Sequence, residues 1–186
     1  RSAGCIINDL MDRKFDKEVE RTKTRPLASG EVKLFEALIL LSVLLSTALL
    51  VLLQFNYKVI FAGFFALGLV TIYPLAKRFT YYPQVILGFT FNFGVLMCFL
   101  SILETLTLDI ILLYLSAVIW TLVYETIYGY QDIEDDLKMG IKSTSIKFST
   151  NPKRTLTLLT IAMMLPLLIL GWKEGFKLEF FLAILL

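Results

Sequence analysis

Histidine is absent from this chain of 186 residues, and that one gap removes several chemistries at once. No Ser-His-Asp triad, no imidazole general base and no His-ligated zinc can be assembled from these residues. Cysteine is nearly as scarce. Cys5 and Cys98 are the whole supply, and each sits in an apolar stretch. Each therefore reads as a small buried hydrophobe rather than half of a disulfide framework. Charge is thin too, at 18% of residues, and it is clustered rather than scattered. The formal net charge of +2 names no partner, and no nucleic acid is expected. Internal repeats and low-complexity segments are missing, and nothing points to an obligate protein partner.

Apolar surface is what the chain has in excess. It is 57% hydrophobic, with a mean hydropathy of +0.74. Between the charge clusters lie runs long enough to cross a hydrocarbon core, which takes about 20 helical residues. Residues 34–54, 59–76, 83–103, 110–130 and 155–172 read as full spans. The first eleven residues and those from Phe176 onward read as parts of two more. The expectation is an all-α, polytopic membrane protein, with 1–186 forming a single membrane domain. Arg1 takes the place of an initiator Met and Phe180 to Leu186 is an apolar run, so the chain reads as a fragment of a longer protein. Pro166 inside a span suggests a kink.

The charge clusters set an orientation. Consecutive loops lie on opposite sides, so the loops at 12–33, 76–82 and 131–154 share one. Together they hold 14 of the 18 basic residues. By the positive-inside rule that side faces the cytoplasm, or the matrix in a mitochondrion. The expected location is the bacterial inner membrane, with the mitochondrial inner membrane as the alternative.

Two acidic motifs lie on that same side, each at the end of a span. The first runs Asn8-Asp9-Leu10-Met11-Asp12-Arg13-Lys14-Phe15-Asp16, and the second Asp132-Ile133-Glu134-Asp135-Asp136. Helical spacing puts Asp9, Asp12 and Asp16 on one face, and Asp132 with Asp136 on another. Like charges so placed repel by roughly 0.2–0.5 kcal/mol per pair in water, and by more where water is scarce. Hard divalent cations can offset them, and magnesium commonly bridges carboxylates to a substrate's phosphates. Solvated boundary charge would explain one such pair. Two clusters forced to one side of a membrane call for a ligand. A transporter would carry its acids near the bilayer midplane instead, and a purely structural subunit would leave both motifs without a task.

The motifs NDxxDxxxD and DxxxD on a multi-span chain resemble the paired signature of UbiA-type prenyltransferases. Arg1-Ser2-Ala3-Gly4-Cys5, Arg21-Thr22 and Arg25-Pro26-Leu27-Ala28-Ser29-Gly30 are similar to that family around its first active-site loop. Tyr73-Pro74-Leu75-Ala76-Lys77 matches its YxxxK element. The stretch from Gly129 through Thr144 resembles the branch acting on 4-hydroxybenzoate, although Glu125 stands where that branch is expected to carry Asp. The resemblance implies a ring of transmembrane helices around a central cavity, from which this chain lacks terminal helices.

The same resemblance implies an enzyme that moves a polyprenyl group from its diphosphate to 4-hydroxybenzoate, ortho to the hydroxyl, in ubiquinone biosynthesis. Other acceptors of the family, haem or a naphthoate, are the alternatives. Magnesium is the implied cofactor, with Asn8, Asp9, Asp12, Asp16, Asp132 and Asp136 as its ligands. Asp12, Asp16, Asp132, Asp136, Arg13 and Arg78 are the implied catalytic set. Asn8, Lys77, Arg78, Lys142 and Tyr73 are implied to bind substrate, whose tail shares the membrane with lipid.

Aromatic faces can stabilise an allylic cation, so Phe89, Phe91, Phe93, Tyr73, Tyr124 and Tyr128 are candidate walls. For any one of them, packing is the simpler explanation. Asn92 and Glu125 are costly within a bilayer and should face a cavity or a neighbouring helix.

Overall fold

The computed structural model describes residues 2–20 and 22–185. Arg1 and Arg21, which the sequence sets beside the first acidic motif, lie outside them. Among the described residues there are eleven α-helices, a 3-10 turn and no strand. Helix α1 (Ser2–Asp16) and the short α2 (Pro26–Ser29) precede α3 (Leu34–Leu52) and α4 (Tyr57–Phe79). Then come α5 (Pro83–Phe91), α6 (Phe93–Leu103) and α7 (Leu108–Tyr128). The turn Gly129–Asp132 leads into α8 (Ile133–Lys138) and α9 (Thr144–Lys147), followed by α10 (Pro152–Lys173) and α11 (Leu178–Leu185).

The helix boundaries follow local chemistry. Asn56 caps α4, its side-chain oxygen accepting from the Val59 N–H at 3.1 Å. Glu36 reaches back from the first turn of α3 to accept from the Lys33 N–H at 2.8 Å. Proline opens α2, α5 and α10, where a missing N–H costs nothing. Gly30 ends α2 at φ 88°, in the left-handed region that glycine enters freely. Glu104 ends α6 at φ 56°, a rarer conformation for a side-chain-bearing residue. Lys58 holds it there, donating to the Glu104 carbonyl at 2.7 Å.

Five helical segments are long and apolar enough to cross a membrane: Leu34–Leu52, Tyr57–Phe79, Pro83–Leu103, Leu108–Lys138 and Pro152–Lys173. They match the five expected spans to within a few residues, except that the fourth runs on to Lys138. The third is not one continuous helix. It breaks at Asn92, whose amide donates to the Gly88 carbonyl at 2.9 Å, the Ala117 carbonyl at 3.1 Å and the Thr121 hydroxyl at 2.8 Å. Asn92 therefore serves helix packing rather than the cavity. Pro166 lies within α10, which continues through it.

Helix α7 is the most buried of the spans and packs between α10 and α5. Ser116 donates to the Met163 carbonyl of α10 at 3.0 Å, and the Tyr114 hydroxyl donates to the Phe89 carbonyl of α5 at 2.7 Å. Elsewhere large apolar side chains point outward, Phe61 at 73% and Ile102 at 74% exposure. Apolar exposure on that scale is untenable in water and is what a lipid-facing surface requires. Cys5 and Cys98 are exposed as well, against the expectation that both are buried. A thiol is apolar enough to face acyl chains, so an apolar sequence neighbourhood does not distinguish core from lipid.

Candidate active site

A cavity of about 380 Å³ opens where α1, α4 and α7 end together. Helix α1 contributes Asn8, Asp12 and Asp16 to its wall, and α4 contributes Tyr73 and Lys77. The end of α7 adds Glu125 and Tyr128, and the segment after it adds Asp132, Asp135 and Asp136. Lys142 and Ser143 complete the lining. Both acidic motifs thus face one space although more than a hundred residues separate them.

Helical geometry explains which residues arrive. Asn8, Asp12 and Asp16 recur every four positions along α1 and share one face. Tyr73 and Lys77 do the same on α4, whereas Arg78 is turned about 100° away by the helix pitch. Arg78 donates instead to the Met11 carbonyl at 3.1 Å and lies 5.3 Å from the centre of the Phe15 ring. Arg13 donates through Nε to the Leu27 carbonyl at 3.1 Å. Arg13 and Arg78, both expected to be catalytic, are therefore not among the residues lining the cavity and border a second hollow on the other face of α1. Asp9 is also off the cavity wall, but it is tied to it through Arg25.

Arg25 is the residue that sequence reasoning left out of the site. It donates to Asp9 at 3.0 Å and to Asp16 at 3.1 Å, bridging two carboxylates of the first motif. Its signal was present in Pro26, which forces the preceding residue into extended backbone, here φ −59° and ψ 140°. That conformation turns the chain back, so Arg25 meets α1. Lys77 pairs with one oxygen of Asp12. The other oxygen, Oδ1, is buried and has no hydrogen-bond partner.

The segment beyond α8 is fastened by a buried polar network. Gln84 accepts from the Thr144 N–H at 3.0 Å, and the Thr126 and Thr144 hydroxyls lie 2.7 Å apart. Ser145 donates to the Thr126 carbonyl at 2.8 Å. Lys142 is held nearby, its N–H donating to the Lys77 carbonyl at 2.9 Å and its ammonium 5.5 Å from the Tyr81 ring centre. Gln84 and Thr126 carry no motif, and Thr144, although it ends the stretch resembling the 4-hydroxybenzoate branch, was not legible as a site support. Of the six candidate aromatic walls only Tyr73 and Tyr128 line the cavity. Phe89 and Phe93 pack with Tyr114, at centroid separations of 6.0 and 6.4 Å.

Six carboxyl side chains line this cavity against Arg25, Lys77 and Lys142. An anion entering alone would be repelled, so the site calls for a cation. Among the described residues no three acids stand close enough to close on one metal ion. Magnesium does not need such a cage, since it commonly takes one or two carboxylates and completes its shell with water and phosphate oxygens. The orphaned Asp12 oxygen and the all-oxygen donor set fit that habit.

The sequence pattern of the UbiA prenyltransferase family matches residues 1–186. The chain is 48% identical over 185 residues to a mitochondrial 4-hydroxybenzoate polyprenyltransferase of Drosophila pseudoobscura pseudoobscura, covering 99% of this chain and 47% of that protein. It is 44% identical over 181 residues to a 4-hydroxybenzoate octaprenyltransferase of Blochmanniella pennsylvanica, covering 97% of this chain and 62% of that one. The chain thus spans about half the length of the curated relatives it matches. Two solved structures share the fold. A UbiA homologue from Aeropyrum pernix K1 superposes with a TM-score of 0.82 at 21% identity, over 98% of this chain and 70% of that one. A UbiA homologue from Archaeoglobus fulgidus bound to GPP and Mg2+ gives 0.69 at 21% identity, over 98% and 65%.

Proposed function

The chain belongs to the UbiA prenyltransferase family, and from that premise we propose that its protein transfers a polyprenyl group from polyprenyl diphosphate to 4-hydroxybenzoate, ortho to the hydroxyl, in ubiquinone biosynthesis. The observation that carries this reading is the meeting of both Asp motifs with Lys77 and Arg25 in one cavity at the end of the spans. The names of the curated relatives supply the acceptor.

Breaking an allylic C–O bond leaves charge on diphosphate, and that charge is what the site has to hold. Bound magnesium would act as a Lewis acid on the phosphate oxygens. Asp12 and Asp16 on one wall and Asp132 and Asp136 on the other would hold it, with Asn8 as a neutral oxygen donor. Asp9 acts at one remove, by anchoring Arg25. Lys77 and Arg25 neutralise carboxylates in the resting site and lie within reach of an entering phosphate, so they can exchange one anion for the other. Fixed cations aimed at a leaving group stabilise charge as it develops. Lys142, joined to Lys77 by a backbone hydrogen bond, lines the same cavity and is placed for either the diphosphate or the aromatic carboxylate. Tyr73 and Tyr128 offer ring faces to an allylic cation, worth roughly 0.5–2 kcal/mol each. Arg13 and Arg78 have no part in this assignment.

The protein is a multi-pass membrane protein, and its membrane is either the bacterial inner membrane or the mitochondrial inner membrane. Both kinds of organism occur among the relatives. The test is direct. Full-length protein in membranes is incubated with radiolabelled 4-hydroxybenzoate and polyprenyl diphosphates of several lengths, with magnesium or with chelator. Label should move into the lipid phase only with magnesium present. Label that stays aqueous here, while haem or a naphthoate is prenylated under the same conditions, would reassign the acceptor.

A further inference from the structure

The outer face of α1 borders a second hollow, of about 590 Å³, that shares only Phe15 with the walls of the first. Leu10, Phe15 and Leu34 give it apolar sides, and Arg13, Lys14 and Arg78 give it a basic rim with one acid, Glu18. Leu34 is the first residue of α3 and Arg78 the penultimate residue of α4. The hollow therefore lies where two spans leave the hydrocarbon core, on the side that carries most of the basic residues. We propose that it seats the head group and upper acyl chain of an anionic phospholipid from that leaflet.

The charge and the walls together choose this occupant. Arg13 and Arg78 each give one N–H to a backbone carbonyl, Leu27 and Met11 respectively, which fixes both guanidinium groups beside the hollow. Among the described residues no ion pair neutralises Arg13, Lys14 or Arg78, whereas Lys77, one residue before Arg78, is paired. A phosphodiester anion satisfies such a rim, and Arg is suited to phosphate. A free phosphate ester would leave Leu10, Phe15 and Leu34 without a partner, and a neutral lipid would leave the cations without one. An anionic phospholipid meets both requirements, and the leaflet on the basic side is the one whose anionic lipids attract such clusters. The inference does not depend on which acceptor the enzyme prenylates.

The experiment measures lipid at the protein surface rather than activity. Full-length protein is reconstituted in phosphatidylcholine with trace spin-labelled phosphatidylglycerol or spin-labelled phosphatidylcholine, and the immobilised fraction of each is compared. Wild type should prefer the anionic lipid several-fold. Removing one rim cation should reduce that preference by about five-fold at most, and Arg13→Gln with Arg78→Gln should bring it close to parity. Arg13→Lys with Arg78→Lys, which keeps the charge, should retain it and shows that loss is not misfolding. Lys177→Gln, outside the rim, should leave it unchanged. The proposal is overturned if the double Gln variant prefers phosphatidylglycerol as wild type does. It is equally overturned if wild type immobilises no anionic lipid, as when another protein segment fills the hollow, or if millimolar glycerol phosphate abolishes the preference.

Discussion

Asp12 is the residue on which most of the site converges. It is 3% exposed, has Lys77 on one oxygen and nothing on the other, and faces the second acidic motif across the cavity. Asp12→Ala and Asp132→Ala should each reduce prenyl transfer below about a tenth of wild type, which is at least ~1.4 kcal/mol of barrier, with the protein still in the membrane. Asp9→Ala should cost less, because Asp16 continues to hold Arg25. Steady-state rates on the three variants check the order, and equal losses at Asp9 and Asp12 would overturn the division of roles. The acids were legible because helical spacing alone puts Asp12 and Asp16 on one face. Arg13 and Arg78 lie in or beside the motifs in sequence, but the helical twist turns both off the face that lines the cavity. Arg25 escaped because its position depends on a backbone turn that no spacing rule reports.

The packing of whole helices depends on places where only glycine fits. A Cβ at Gly88 of α5 would lie 2.8 Å from the Val118 carbonyl oxygen of α7, a backbone atom that cannot move alone. Small residues let membrane helices approach this closely, and over-packing such a contact costs about 1–3 kcal/mol. Gly88→Ala should therefore lower the unfolding temperature of the purified protein by several degrees. Gly68→Ala is the control, since a Cβ there meets nothing within 4 Å. Scanning calorimetry in detergent checks the pair, and equal temperatures would mean that α5 and α7 slide apart at no cost. Element existence was readable from hydropathy, and the five spans match those expected. The break at Asn92 was not, because it depends on acceptors at Ala117 and Thr121 that come from another helix.

Across the whole molecule, charge distinguishes the two membrane faces by more than number. On the sparsely basic side Lys58 pairs with Glu104 at 3.4 Å and Lys173 with Asp109 at 2.5 Å, so two of the three lysines there are paired. The positive-inside rule counts Lys and Arg rather than net charge, so the orientation rests on the 14 of 18 basic residues held on the other side. In a background with Cys5 and Cys98 replaced, single cysteines at Lys23 and Lys147 should react with an impermeant maleimide from one side, and one at Lys58 from the other. Lys23 and Lys147 labelled from opposite sides would separate the two acidic motifs and dissolve the cavity.

Helix α1 serves both the acidic cavity and the basic hollow, back to back, and so behaves like a reading frame. Substitutions on it are letters, and many should be tolerated. A deletion is different, because each lost residue turns everything beyond it by about 100° and withdraws it 1.5 Å. Removing Ile6 should sweep the carboxylates off the cavity wall while altering neither the charge nor any residue of the acidic motif. Reinserting an alanine after Gly4 should restore the phase, and with it magnesium-dependent binding of a diphosphate analogue. Along these fifteen residues the quantity to be preserved is angular phase, even where the letters are free to drift.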